Sequence, residues 1–84
     1  MIFVIAPISA PAGQTVCVTV GGVAGTLTVS AWVNDERVGT TVVQEPVGTW
    51  RVCVSVPKGV TGAVVLRLAD KAGTVHRAIA VSPP

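Results

Sequence analysis

Residues 50–56 read Trp50-Arg51-Val52-Cys53-Val54-Ser55-Val56, with a bulky apolar side chain at every second position. A period of two marks an extended strand with one buried and one open face, because successive Cβ atoms point to opposite sides of the pleat. Trp50, Val52, Val54 and Val56 are therefore predicted to face a core, and Arg51, Cys53 and Ser55 to lie outside. The stretch Thr15-Val16-Cys17-Val18-Thr19-Val20 has the same rhythm, with its valines inward and Thr15, Cys17 and Thr19 outward. A slip of one residue would send every valine to solvent, so the pattern specifies register as well as strand type.

The rhythm extends along the chain in both directions. Leu27, Val29, Ala31 and Val33 are predicted to point inward, with Thr28, Ser30, Trp32 and Asn34 outward. Val64, Leu66 and Leu68 alternate with outward Val65 and Arg67, whereas Val75, Ile79 and Val81 share their parity with Arg77 and leave the last segment ambiguous. Turn-forming clusters separate these runs: Pro11-Ala12-Gly13, Gly21-Gly22, Asn34-Asp35-Glu36-Arg37, Glu45-Pro46, Pro57-Lys58-Gly59 and Asp70-Lys71-Ala72-Gly73. Strands are expected near 2–6, 14–21, 26–34, 37–44, 48–56, 63–69 and 74–81, and no window carries a helical period.

Composition supports this reading. The 84 residues hold nineteen valines, one Phe and no Tyr, half of all residues are apolar, and 12% are charged. Such a chain is not disordered, and β-branched side chains favour pleated, half-buried surfaces. The length accommodates one domain over residues 1–84, with one modest core. A net charge of +2 spread without a basic run or interleaved aromatics argues against nucleic-acid binding. Pro7 cuts the apolar N-terminal run and no basic residue precedes it, so no secretory signal is expected. No apolar stretch approaches the roughly 20 residues of a membrane span.

Four segments follow one another in an order that resembles a known group: Pro11-Ala12-Gly13-Gln14-Thr15-Val16, Trp32-Val33-Asn34-Asp35, Thr49-Trp50-Arg51-Val52 and Val56-Pro57-Lys58-Gly59-Val60-Thr61-Gly62. They are similar to the bacterial and phage immunoglobulin-like modules. In that group a Pro-x-Gly-x-x-Val segment leads into the second strand, a Val-Asn-Asp turn closes a hairpin, and a Trp-x-Val-x-Val-x-Val-Pro-x-Gly strand follows. The resemblance covers nearly the whole chain and implies an all-β, immunoglobulin-like sandwich of about seven antiparallel strands in two sheets. Its motifs are structural and transfer no binding or catalytic residue. The inward Cys pair of antibody-type domains is missing.

No catalytic residue is expected. His76 is the only histidine, with no nucleophile context around it, and is read as a partly exposed strand residue. The acids Asp35, Glu36, Glu45 and Asp70 all fall at turns, where backbone hydrogen bonding accounts for them. Two cysteines and one histidine do not make a zinc site, and no cofactor motif is present.

Cys17 and Cys53 are the most informative pair. Both lie on the outer face of strands that would be neighbours, where directly opposed Cα atoms come within disulfide range. Three readings remain open: free surface thiols, an internal bridge, or cross-links between subunits. Trp32 points outward, and Val65 and Ala69 can extend an apolar patch beside it, with Arg67 as a flanking cation. Arg51, Arg67 and Arg77 are candidates for links to an acidic partner. Ile2 and Phe3 at one end, and Ser82-Pro83-Pro84 at the other, would sit at sheet edges open to a neighbouring strand.

These features imply protein binding. The resemblance to phage modules implies a virion accessory protein. It would be a capsid decoration or cement protein, or a neck or tail component, held by contacts with the major capsid protein or other virion proteins. Such a protein is expected as a homo-oligomer or in many copies on the particle, without membrane or nucleic-acid partners. The alternative is a spacer or an adhesive, carbohydrate-binding module at a bacterial cell surface.

Overall fold

The computed structural model describes residues 1–46 and 48–84, which form nine strands and no helix. One sheet has four strands: β1 (Phe3–Ile5), β3 (Thr15–Gly21), β7 (Trp50–Ser55) and β6 (Thr40–Gln44), adjacent in the order β1-β3-β7-β6. The other has five: β2 (Ser9–Pro11), β9 (Gly73–Ser82), β8 (Ala63–Asp70), β4 (Thr28–Val33) and β5 (Glu36–Val38), in the order β2-β9-β8-β4-β5. Pairing is antiparallel throughout except between β2 and β9. The result is an all-β sandwich with an immunoglobulin-like arrangement of two sheets.

The core lies between the sheets and follows the valine rhythm. Val18, Val20, Val52 and Val54 meet Ala31, Val33, Val64, Leu66, Leu68 and Ile79, all of them buried. Val18 pairs with Val52, and Val33, Val64 and Ile79 align across three strands, so each layer of the core is built from adjacent ladders. Each buried valine contributes about 2 kcal/mol of hydrophobic stabilisation. Trp50 keeps its inward parity, half-buried against this cluster.

Three features depart from the sequence expectation. The segment expected as one strand over 37–44 breaks at Gly39, placing β5 in one sheet and β6 in the other. A change of sheet is a bend, and alternation of side chains carries no signal for it. Ser9-Ala10-Pro11 forms the unexpected β2, which is too short to show a period. Its last residue is a proline, which an edge strand tolerates because one side needs no N–H. Finally, β9 starts at Gly73 and reaches Ser82, and it runs beyond both ends of the expected segment.

Two turns hold the loops in place. Asn34 and Asp35 have φ of 51° and 65°, the left-handed pair required by a two-residue type I′ hairpin between β4 and β5. Asp70, at the β8–β9 turn, accepts hydrogen bonds at Oδ1 from the N–H groups of Ala72 (2.8 Å) and Gly73 (3.1 Å). Its Oδ2 accepts from the N–H of Ala24 at 2.9 Å, which ties this hairpin to the loop between β3 and β4.

Candidate functional site

The outer face of the five-stranded sheet carries the densest group of candidate residues. Trp32 on β4 is half-buried, flanked by Arg37 on β5 and Val65 on β8, both directly opposite it in register. The Arg37 guanidinium lies 5.8 Å from the Trp32 ring centroid, within cation–π range. One row along, Ser30, Arg67 and His76 align across β4, β8 and β9. Trp32, Asn34, Asp35, Val65, Arg67 and His76 surround a shallow depression of about 420 Å³.

The two-residue turn at Asn34-Asp35 explains this grouping. It makes Val33 pair with Glu36 and Trp32 with Arg37, and residues paired across a ladder share a face. Sequence reasoning placed Trp32, Val65 and Arg67 but missed Arg37. Counting outward from the Asn34-Asp35 turn would have found it.

Among the described residues the arginines of this face form no ion pair with an acid, Asp35 at the rim included. Among the described residues the one ion pair is Arg51 Nε to Glu45 Oε1, 3.0 Å, on the other sheet and well exposed. At that exposure such a pair contributes less than about 1 kcal/mol. Asp70 is occupied by its three N–H donors. The Ala24 N–H foremost, opposed in part by desolvation and reinforced by Ala72 and Gly73, holds its carboxyl below the ordinary value of 3.8.

Cys17 and Cys53 are joined in an internal disulfide, with Cα atoms 4.0 Å apart. Of the three readings left open by the sequence, the free thiols and the inter-subunit cross-links give way to the bridge within the chain. The pairing geometry accounts for it. The Val56 N–H donates to the Gln14 carbonyl, so the ladder alternates to make Cys17 and Cys53 a directly opposed, non-hydrogen-bonded pair.

The N-terminal candidates separate. Ile2 is 7% exposed and belongs to the core, so it is corrected from a surface candidate to a structural residue. Phe3 is exposed on edge strand β1, with its ring lying over Gly21, its cross-strand partner. His76 is exposed on β9. Arg77 shares the core-facing parity of Val75 and Ile79 yet is exposed, because among the described residues no strand flanks β9 at that position on the side away from β8. Among the described residues no three His, Cys, Asp or Glu side chains gather as a metal site, and no helix is long and apolar enough to cross a membrane.

The architecture belongs to the immunoglobulin-like sandwiches. The filamin domain of Lin-41 superposes with a TM-score of 0.77 over 96% of this chain and 91% of that one, at 9% sequence identity. Two kinase-region fragments of C. elegans twitchin, which contain immunoglobulin domains, match with TM-scores of 0.58 and 0.60 at 13% and 14% identity. This chain covers only 14% and 21% of those fragments, and the matched part lies outside the kinase. At such identities the likeness is one of fold. No protein-family model and no curated protein matches the sequence.

Proposed function

We propose that the chain is a non-catalytic adhesive module that binds a partner protein through the outer face of its five-stranded sheet. The observation that carries this reading is the Arg37–Trp32 stack with Val65 beside it, 37% exposed. Trp and Arg dominate the energetics of protein interfaces because a stacked guanidinium presents a rigid fork while the ring supplies apolar area. Both residues sit on paired strands, so little backbone entropy remains to be lost on binding.

The finer setting is a virion surface, where many copies of the module would hold capsid or tail proteins together. This rests on the sequence resemblance to phage modules, and the similar structures reported above include no virion protein. A bacterial cell-surface module that binds carbohydrate is the second reading. The depression that brings Asn34, Asp35, Arg67 and His76 around Trp32 favours it, since sugars stack on indole rings and take hydrogen bonds from such a rim.

The test is co-sedimentation of the tagged chain with purified particles, and separately with cell envelopes, from the source. Trp32→Ala and Arg37→Ala are expected to weaken attachment about tenfold or more while the thermal midpoint stays within a few degrees. Unchanged attachment of both variants would remove the Trp32 face as the adhesive surface. Release by simple sugars would favour the carbohydrate reading over the protein one.

A further inference from the structure

The second-sheet strand β9 is paired unequally on its two sides. Facing β8 it is matched from Gly73 to Ala80, but on the other side β2 reaches only Ala80, Val81 and Ser82. Among the described residues no strand covers the rest. The Val81 N–H donates to the Gly62 carbonyl, on the β8 side, and the Ala12 N–H donates to the Ser82 carbonyl, on the β2 side. Backbone groups alternate along a strand, so Thr74, His76 and Ala78 direct their N–H and C=O groups outward from the sheet edge. These are unpaired strand groups in a row, continuous with the line that β2 already occupies.

The surroundings of this edge have a chemical character. At its start, Met1, Ile2, Asp70, Gly73, Thr74 and Val75 are among the residues that line a largely apolar pocket of about 370 Å³, whose one carboxylate, Asp70, already accepts from the N–H groups of Ala24, Ala72 and Gly73. Two residues further on the same face comes Arg77, exposed and, among the described residues, in no ion pair with an acid. An inward-pointing charge on an open edge opposes pairing with a second copy, because two such edges would bring like charges together. The same charge favours a strand of opposite sign.

We infer that the open edge of β9, from Thr74 to Ala78, docks an acidic, extended segment of a partner protein as an added strand. The main-chain groups of Thr74, His76 and Ala78 would supply the hydrogen bonds. An apolar side chain of the incoming segment enters the pocket beside Val75, and a carboxylate two residues away pairs with Arg77. This is strand addition, in which main-chain bonds give affinity and alternate side chains give specificity. It uses residues other than Trp32 and Arg37 and does not depend on the adhesive face proposed above.

The experiment is an NMR titration of the isotope-labelled full chain with a seven-residue peptide. The peptide has valine at its second and sixth positions, glutamate at its fourth and serine elsewhere. Its palindromic order presents the same side chains in either strand direction. Amide shifts are expected to concentrate at Thr74, Val75, His76, Arg77 and Ala78. Affinity should fall about tenfold in Arg77→Glu, which should in turn gain affinity for the lysine-for-glutamate peptide. Ala78→Pro removes an outward N–H without touching a β8 bond and should abolish binding, with its own spectrum reporting the fold. Trp32→Ala should leave peptide binding intact, so failure of the Trp32 face and failure of this edge read out separately.

Three results would overturn the inference: no shifts at millimolar peptide, equal binding of the lysine peptide, or shifts centred on Trp32 and Val65. Concentration-dependent self-association that shifts the same β9 amides would assign the edge to a second copy and overturn it equally.

Discussion

Cys17 and Cys53 face each other directly across β3 and β7, their Cα atoms 4.0 Å apart, on the outer surface of the four-stranded sheet. The bridge adds no core contact, so its effect falls on the unfolded chain. It closes a loop with a sequence separation of 36, for which loss of chain entropy corresponds to about 4 kcal/mol. In a chain this small that is a large share of the total stability. Reduction, or the pair Cys17→Ser and Cys53→Ser, is expected to lower the unfolding free energy by about that amount. The spectrum around Trp32, on the opposite sheet, should stay unchanged. Urea melts with and without reductant measure it, and coincident midpoints would show that the bridge carries no stability.

Asp70 makes stability depend on acid pH. Its carboxylate accepts from Ala24, Ala72 and Gly73, and these bonds hold its folded value below the ordinary 3.8. A depressed folded pKa contributes stability that is complete well above the unfolded value and is lost as pH falls through the folded one. Asp70→Asn is therefore expected to lower the urea midpoint near neutral pH. The difference from the parent chain should shrink below about pH 3.8. A gap that stays constant down to roughly pH 2 would show that the charge of this group is not what stabilises the turn.

The Asn34-Asp35 turn is near its preferred chemistry but not at it. Both residues hold positive φ, and glycine at the second position of a type I′ turn removes the steric cost that Asp35 bears at 65°. Asp35→Gly should raise the unfolding free energy by about 0.5 kcal/mol and preserve the Trp32–Arg37 register. Destabilisation would indicate that the Asp35 side chain contributes more to the loop than its backbone conformation costs.

Much of this molecule is legible from valine parity, and the exceptions have physical causes. Val18, Val20, Val52, Val54, Val64, Leu66 and Leu68 are buried where their rhythm puts them, because a face that must leave water tolerates no slip. The break at Gly39 and the short β2 left no trace, since one is a change of sheet and the other holds three residues. Arg77 looked contradictory because parity reports a face and not a neighbour; an open edge lets an inward-parity arginine reach water. The Trp32 face was half legible. Its outward parity was plain, but Arg37 comes from the adjoining strand and needed the turn type before it could be placed.

Phe3 illustrates how exposure misleads about availability. The residue is 55% exposed on β1, yet its ring lies over Gly21, its cross-strand partner, where a Cβ would overlap the ring carbons. Gly21 has no positive φ, so the requirement for glycine there is one of space and not of backbone conformation. An aromatic ring laid over a strand glycine shields backbone that would otherwise be open to water. Gly21→Ala alone should displace the ring and cost about 1 kcal/mol, the low end of the overpacking range, because only the tip of an exposed ring has to move. In the Phe3→Ala background the same substitution should cost almost nothing, since the space is then free. The coupling between the two, measured by a double-mutant cycle of urea melts, is expected to exceed about 0.5 kcal/mol. Additive effects would mean that the ring does not rest on Gly21 in solution, which would return Phe3 to the set of side chains free to meet a partner.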